Sequence, residues 1–266
     1  MGRYVLLVVV SVIVLFPIWA VLMQALKNGR DSLDHPRSLL PVDLTFETIR
    51  EAWTQGNLGR LLANSLFVSV AVTIGVVITS LLAAYAFAFL DFPGKGLVFA
   101  AFLATMLVPA EVTVVINRRT AESLGWVSSY QGLIVPSLAS TFGVFLVRQM
   151  FLQLPKELRE AASLDGVGHL RYLWEVAAPL SRPTLGALGL FTFLGTWNAY
   201  LWPSQVINDD DHKTVQIGLA SLRNADINHL NLVTGGLVIA ALPIFVILVV
   251  FQRQLVRGLT AGAVKG

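Results

Sequence analysis

Residues 61–90 read LLANSLFVSVAVTIGVVITSLLAAYAFAFL, a stretch that contains no Asp, Glu, Lys or Arg. As one helix it would be about 45 Å long at ~1.5 Å per residue, and about 20 apolar residues already cross the hydrocarbon layer of a membrane. Buried helices of water-soluble proteins usually carry a polar face and seldom continue this far without charge. The stretch therefore predicts a membrane-spanning helix that tilts or extends beyond the hydrocarbon.

The whole composition agrees with this prediction. The 266 residues are 55% hydrophobic and 13% charged, against about 25% charged residues in an average soluble domain. The first apolar run is longer than the roughly 7–15 residues of a signal-peptide core, so we expect it to be a retained span. We predict an all-α membrane protein with a single transmembrane domain over residues 1–266 and six spans, at about 4–26, 61–90, 97–117, 130–147, 184–207 and 232–251.

Charge and residue types exclude several classes of function. The surplus of 19 Lys and Arg over 16 Asp and Glu is too small to suggest nucleic-acid binding. Without cysteine the chain can form no disulfide, thiol nucleophile or Cys-ligated metal site. Its four histidines are scattered without i,i+4 pairing, so we predict no metal site. No G-x-x-x-x-G-K-[ST] loop is present to cradle ATP, and no catalytic set converges, so we do not expect an enzyme.

Basic residues favour an orientation with both termini in the cytoplasm. In that arrangement, ten of the 19 Lys and Arg residues lie on the inner side, half of them in the short loop region 148–183. Short loops that are rich in Lys and Arg tend to remain in the cytoplasm. We therefore predict N-in and C-in termini, a long inner loop at 152–183 and an inner C-terminal tail at 252–266.

The long inner loop has the sequence signals of two helices joined by a turn. Pro155 suits a first helical position, because its missing N–H needs no partner there. Gly166 ends this helix, and Gly168 can begin a second one that must end near Pro179. The result is a helical elbow. From residue types alone, it is either a docking element or a plain hairpin that joins two spans.

Five residues of this elbow stand at a defined spacing: Glu160, Ala161 and Ala162, then Gly166, then Pro179. This spacing resembles that of the EAA loop, which marks the permease subunits of binding-protein-dependent ABC importers. Three positions depart from the usual residues of the family: Gly168, Val176 and Ala178.

The resemblance extends along nearly the whole chain, to the maltose-permease-type or carbohydrate-uptake-type-1 branch. It is carried by residues 64–65, 83–88, 92–95, 145–149, 197–203 and 258–266. It implies the maltose-type permease fold in a prokaryotic inner membrane, and half of the translocation path for a sugar or related polar solute. The implied partners are a second homologous permease, a cytoplasmic ATPase dimer that binds ATP and Mg, and an extracytoplasmic solute-binding protein. No cofactor is expected on this chain.

The same resemblance implies which residues meet the ATPase. A coupling helix around residues 160–166 would dock in a groove of one ATPase subunit, and the tail would touch the ATPase dimer as well. The residues implied for coupling are Glu160, Ala161, Ala162, Asp165, Gly166 and Pro179, and those implied for the tail contact are Thr260 and Lys265.

Polar residues inside the spans are candidates for the substrate path, because burial in a membrane is costly and often functional. They are Asn64, Glu111, Asn117, Thr196, Trp197, Asn198 and Tyr200. Hydrogen bonding between helices is the open alternative for each. Trp197, Tyr200 and Trp202 would stack on a sugar or belong to an aromatic belt at the membrane interface.

Cargo is the least determined feature. Glu111 resembles the glycerol-phosphate subset of the branch, and the adjacent Arg118 and Arg119 suit a phosphate. A pair of arginines that extend to the membrane surface is the alternative. We therefore expect a sugar-type cargo, with glycerol-3-phosphate or a glycerophosphodiester as the alternative. A secondary transporter or channel is more remote, because neither an inverted repeat nor a buried acid–base relay is visible.

Overall fold

The computed structural model of the chain describes residues 2–35, 38–225 and 230–261. In these ranges the chain is helical and contains no β-strand, as expected for an all-α protein. The helices are α1 (Gly2–Ala25), α2 (Gly29–Asp34), α3 (Glu47–Gln55), α4 (Leu58–Phe89), α5 (Lys95–Ala104), α6 (Ala110–Ser123), α7 (Tyr130–Ile134), α8 (Thr141–Phe151), α9 (Lys156–Leu164), α10 (His169–Tyr172), α11 (Ala178–Leu180), α12 (Arg182–Trp197), α13 (Leu201–Val206), α14 (Val215–Ala225) and α15 (Leu230–Ala261).

Three of the described helices are long and apolar enough to cross a membrane unaided. They are α1, α4 and the part of α15 at Leu232–Gln252, and they coincide with the predicted spans at 4–26, 61–90 and 232–251. Since α4 alone contains 32 residues, it is about 48 Å long at ~1.5 Å per residue. It therefore exceeds the ~30 Å hydrocarbon layer, as its sequence predicts.

The other three predicted spans are interrupted. In the predicted span 97–117, the chain bends by 103° between Lys95–Leu107 and Glu111–Ser123, because Pro109 lacks an N–H and holds Val108 in an extended conformation. In the predicted span 130–147, the bend is 42° and lies beside Pro136. The predicted span 184–207 is divided into α12 and α13 by residues 198–200. The six-span count and the orientation of the termini remain predictions.

One compact unit consists of Met1–Ser65 and Lys213–Ile247. The side chains of α1 are exposed over most of its length, as suits a helix that faces lipid or a protein neighbour. The packed part lies around α3, α14 and the start of α15. There, a Cβ added at Gly235 would come within 2.8 Å of the carbonyl oxygen of Thr48, so only glycine permits this close helix contact.

The connection after α1 in this unit is organised around Lys27. Its side chain is 0% exposed, and Nζ donates hydrogen bonds to the carbonyl oxygens of His35 (3.1 Å) and Ser38 (2.7 Å). Its own carbonyl accepts a hydrogen bond from the Thr48 hydroxyl. A buried ammonium needs such partners, because an unpaired buried charge is strongly unfavourable.

The other compact unit consists of Leu66–His212 and Leu248–Gly266. Its core lies where α4, α8 and α12 pack, and it includes Val144, Val147 and Leu188. Close packing depends on glycine here too. A Cβ at Gly75 would overlap the Leu138 side chain, and a Cβ at Gly143 would overlap the Ser80 hydroxyl.

We expect Gly143→Ala to lower the free energy of unfolding by about 1–3 kcal/mol, because the added methyl overpacks the contact with Ser80. The thermal unfolding midpoint of the purified chain should fall by several degrees. Gly186→Ala is the matched control, since no atom lies within 4 Å of its added Cβ and alanine favours a helix over glycine. Equal midpoints for the two variants would contradict this packing.

Candidate functional site at the helical elbow of residues 152–183

The first arm of the elbow is α9. The sequence placed Pro155 at the first helical position, whereas the structure begins the helix one residue later, at Lys156, with Pro155 before it in an extended conformation. The helix ends at Leu164, and Gly166 adopts a left-handed φ of 72°. The amide of Val167 closes this turn by donating to the carbonyl oxygen of Ala162 at 2.9 Å. The predicted turn therefore lies at Gly166.

The second arm begins with Gly168, which is extended and precedes α10. A wider π-helical segment, Leu173–Ala177, follows and leads into α11, which ends at Leu180. The predicted end near Pro179 is therefore met within one residue. Proline supplies no N–H for the preceding turn, so an irregular helix before Pro179 is its expected consequence.

The elbow exposes several charged and apolar residues. Glu160, Ala161, Asp165 and Gly166 are exposed, while Pro179 is half-buried. Large apolar side chains accompany them: Leu164 is 89% exposed and Leu170 is 66% exposed, and Leu158 and Trp174 are exposed as well. Large apolar side chains left exposed in this way are available for contact with a protein or a membrane.

The side of the elbow that carries Arg159, His169 and Tyr172 is fastened to the end of α4. The Tyr85 hydroxyl lies 3.0 Å from Nδ1 of His169, and Nη1 of Arg159 donates to the carbonyl oxygen of Phe89 at 3.1 Å. The Tyr172 ring meets that of Phe89 edge to face, with centroids 5.9 Å apart. Ala162 from the EAA triplet is buried on this side. These contacts attach the elbow to the end of α4.

Burial and a nearby positive charge both shift the pKa of the Tyr172 hydroxyl, which lies where the elbow contacts α4. Burial raises the pKa of the Tyr172 hydroxyl above its ordinary value, and the positive charge of Arg159 partly opposes this effect. The hydroxyl therefore stays protonated at neutral pH. In that form the hydroxyl carries no charge.

Arg148 extends the same attachment to neighbouring helices. Its Nε donates to the carbonyl oxygen of Phe87 at 3.2 Å, and its guanidinium lies 4.2 Å from the centroid of the Phe99 ring. No pattern in the sequence predicted a functional role for Arg148, Tyr85 or Tyr172. Aromatic residues four positions apart at the end of a span, as in Tyr85 and Phe89, were the available signal.

The seven candidates for the substrate path belong to both compact units. Asn64 belongs to the unit of Met1–Ser65 and Lys213–Ile247. It is 5% exposed, and its Nδ2 donates to the carbonyl oxygen of Lys213 at 2.9 Å. In this conformation Asn64 joins α4 to the segment before α14. This contact is the alternative predicted for each candidate, a hydrogen bond between structural elements.

Four candidates meet at the break between α12 and α13: Thr196, Trp197, Asn198 and Tyr200. Asn198 and Tyr200 are exposed, and Thr196 is half-buried. Trp197 is 1% exposed and stacks on Phe193 with centroids 5.7 Å apart, so in this conformation it is a packing residue. Nδ2 of Asn198 donates to the carbonyl oxygen of Leu194 at 2.8 Å. Glu111 and Asn117 are exposed on α6.

The arginine pair has two different environments. Nε of Arg118 donates to Glu122 at 2.8 Å, and its Nη1 donates to the carbonyl oxygen of Gln205. Arg118 therefore joins α6 to α13. Arg119 is exposed. The nearby Trp202 donates from Nε1 to the carbonyl oxygen of Gly132 at 3.0 Å, so it also connects helices in this conformation.

Two further expectations concern the ends of the chain and metal binding. Lys265 lies outside the described residues, and Thr260 is described only as part of the backbone of α15. In the described ranges, no three His, Asp or Glu side chains stand close enough together to hold a metal ion.

Comparison with known proteins identifies the family. The family described as "Binding-protein-dependent transport system inner membrane component" matches residues 2–260. The chain belongs to this family. The protein is thus a permease subunit of a binding-protein-dependent ABC importer, and a multi-pass component of the inner membrane. Its role is transport, and the family implies ATPase and binding-protein partners.

Relatives and a solved structure cover nearly the whole permease. The sn-glycerol-3-phosphate transport system permease protein UgpE of Yersinia pestis bv. Antiqua (strain Antiqua) is 32% identical over 264 residues, 96% of this chain and 94% of the relative. UgpE of Brucella abortus (strain 2308) is 34% identical over 265 residues, with the same coverage. A bacterial ABC transporter involved in the import of the acidic polysaccharide alginate has the same fold, with a TM-score of 0.85, 22% identity and coverage of 95% and 94%.

The turn of the elbow can be tested by the backbone conformation of its two glycines. We expect Gly166→Ala to strain the permease by roughly 1–2 kcal/mol, because φ is 72° there. Gly168→Ala should be nearly neutral, because φ is −72° and ψ is 165°. Limited trypsin digestion of the purified chain should cleave the elbow roughly 5- to 30-fold faster in the first variant. Equal cleavage rates would contradict the strained turn.

Proposed function

We propose that the elbow of residues 152–183 receives the force of ATP hydrolysis from a partner ATPase on the cytoplasmic side. One observation carries this proposal: the elbow exposes large apolar side chains, and its side with Arg159, His169 and Tyr172 is fastened to the end of α4. Leu164 and Leu170 are 89% and 66% exposed, which is unfavourable in water and favourable in a protein groove. Glu160 and Asp165 add charge that would orient the docked partner.

In this proposal the permease works as a two-state body. ATP and Mg bind to a dimer of ATPase subunits, and closure of that dimer moves the elbow. The contacts of Arg159 and His169 with α4 transmit this movement to the spans, which change between inward- and outward-facing conformations. A loaded solute-binding protein and ATP each shift this equilibrium by binding one conformation more tightly than the other.

The complete assembly contains a second homologous permease, so that this chain forms half of the path. The C-terminal tail, through Thr260 and Lys265, makes a further contact with the ATPase dimer. The path candidates Asn64, Glu111, Asn117, Thr196, Trp197, Asn198 and Tyr200 would become accessible to cargo as the helices rearrange. These assignments rest on the family resemblance and on the costs of polar groups in a membrane.

Charge reversal at the elbow tests the coupling. We expect Glu160→Lys and Gly166→Asp to lower uptake by at least about tenfold, since a reversed charge or a strained turn at a docking face weakens binding by several kcal/mol. Uptake and ATPase activity stimulated by the binding protein should be measured in the reconstituted importer, together with co-purification of the ATPase.

Two matched variants distinguish a loss of coupling from a non-specific loss of folding or transport. Glu51→Lys makes the same charge change outside the elbow, and Gly168→Asp makes the same substitution where the backbone is unstrained. Both should retain most of the uptake. The proposed coupling role is wrong if Glu160→Lys and Gly166→Asp transport as well as these controls do.

For the cargo, we propose a small phosphate-bearing solute of the sn-glycerol-3-phosphate type, within the broader class of sugars and related polar solutes. The permeases from Yersinia and Brucella, similar along nearly their whole length, are named for sn-glycerol-3-phosphate transport. In addition, Arg119 is exposed on α6, the helix that also carries the path candidates Glu111 and Asn117, and a guanidinium binds phosphate well. Arg118 is engaged between helices and is not assigned to the cargo.

A comparison of uptake kinetics for two classes of cargo tests this assignment. The reconstituted importer should take up sn-glycerol-3-phosphate, and Arg119→Gln should lower its kcat/KM by about tenfold, through the loss of one charge-assisted hydrogen bond. Arg118→Gln is expected to lower the thermal unfolding midpoint instead, because it breaks the link between α6 and α13. Uptake of maltose at an equal or higher kcat/KM would assign the permease to neutral sugars.

A further inference from the structure

The connection that leads into α3 exposes several large apolar side chains. We call residues 39–46 the apolar linker. It contains five such side chains, each between 54% and 74% exposed: Leu39, Leu40, Val42, Leu44 and Phe46. Single exposed apolar residues are ordinary on a protein surface, whereas a group of them in one short segment marks contact with a protein or a membrane.

Two buried charged residues hold the apolar linker. Asp31 is 6% exposed, and its Oδ2 accepts a hydrogen bond from the amide of Val42 at 2.8 Å. The buried ammonium of Lys27 binds the carbonyl oxygen of Ser38, the residue just before the linker. Buried charges need partners of this kind. The backbone is therefore fixed at both points, and the fold itself keeps the apolar side chains outside.

A hydrogen bond places the apolar linker at the end of a span. With 24 residues, α1 is about 36 Å long at ~1.5 Å per residue, close to the ~30 Å of the hydrocarbon layer. Its end at Ala25 therefore lies near the boundary between hydrocarbon and headgroups. The amide of Thr45 donates to the carbonyl oxygen of Leu26 at 2.9 Å. Leu44 and Phe46, on either side of Thr45, therefore lie near this boundary as well.

The surroundings of the linker favour lipid as its partner. The exposed apolar surface of α1 extends to its last turn, where Leu22 is exposed, so apolar surface continues from the span to the linker. In the same compact unit, Trp53 is exposed, and a Cβ added at Gly59 near the start of α4 would lie 3.3 Å from its ring. Tryptophan beside the end of a span is typical of the membrane interface.

We propose that the apolar linker inserts into the lipid layer at the end of α1, with Leu44 and Phe46 among the upper parts of the acyl chains. Asp43 is exposed within the linker, so the insertion is shallow and this carboxylate stays hydrated among the headgroups. The contact is apolar and the linker carries no cation. Anionic lipid, which attracts basic segments, is therefore not required.

Site-specific labels test the depth of the linker. Because the chain has no cysteine, Leu44→Cys and Phe46→Cys can each carry one environment-sensitive fluorophore in the full chain, reconstituted into phosphatidylcholine vesicles. Phosphatidylcholine with a nitroxide near the top of its acyl chain should quench both labels by at least about twofold, as expected for shallow apolar insertion. Aqueous iodide should quench them little. Both native side chains are exposed, so the unfolding midpoint should not change.

Leu164→Cys is the matched control, because this leucine is 89% exposed on the elbow, which the proposed function assigns to the ATPase. In the chain alone, its label should be quenched by iodide and little affected by the nitroxide lipid. The proposal is overturned if the labels at positions 44 and 46 behave in the same way. It is also overturned if they become shielded from iodide only when the second permease or a solute-binding protein is added, since the linker would then be a protein interface.

Discussion

Hydrocarbon offers no hydrogen bonds, so each backbone N–H and C=O inside a membrane must find a partner within the protein. An unbroken helix meets this requirement by itself, and α4 does so over 32 residues. Where a helix breaks, a side chain has to take over. Nε1 of Trp202 donates to the carbonyl oxygen of Gly132, the Thr79 hydroxyl donates to that of Leu138, and Arg118 donates to that of Gln205. Polar side chains within the apolar segments thereby act as hydrogen-bond partners of the backbone.

The same requirement explains the attachment of the elbow. The last carbonyl groups of α4 have no amide partner further along the helix. Arg148 binds the carbonyl oxygen of Phe87 and Arg159 that of Phe89, and each comes from a different segment. These cations also suit the negative end of the helix dipole. The hydrogen bonds to the free carbonyl groups at the end of α4 therefore join α8 and α9 to that helix. This connection makes the elbow suitable for transmitting movement.

Much of the fold and of the elbow could be predicted from the sequence, because these features depend on local chemistry. Long uncharged runs require helices in a membrane, and Gly166 between two helical patterns requires a turn. The interruptions at Pro109 and at residues 198–200 were not predicted, because an apolar run has the same composition whether its helix is straight or bent. The EAA spacing identified the family, although residue spacing alone could not reveal which residues of the motif are buried.

The sequence by itself determined the class of the protein, the positions of its apolar segments and the turn of the elbow, since each depends on neighbouring residues. Only the tertiary structure decided how the polar residues are used. In this conformation, Asn64 and Arg118 donate hydrogen bonds to backbone carbonyls far away in the sequence. Likewise, Tyr85 and His169 are 84 positions apart in the chain. No local pattern reveals such a pair, because its two members meet only when separate helices pack together.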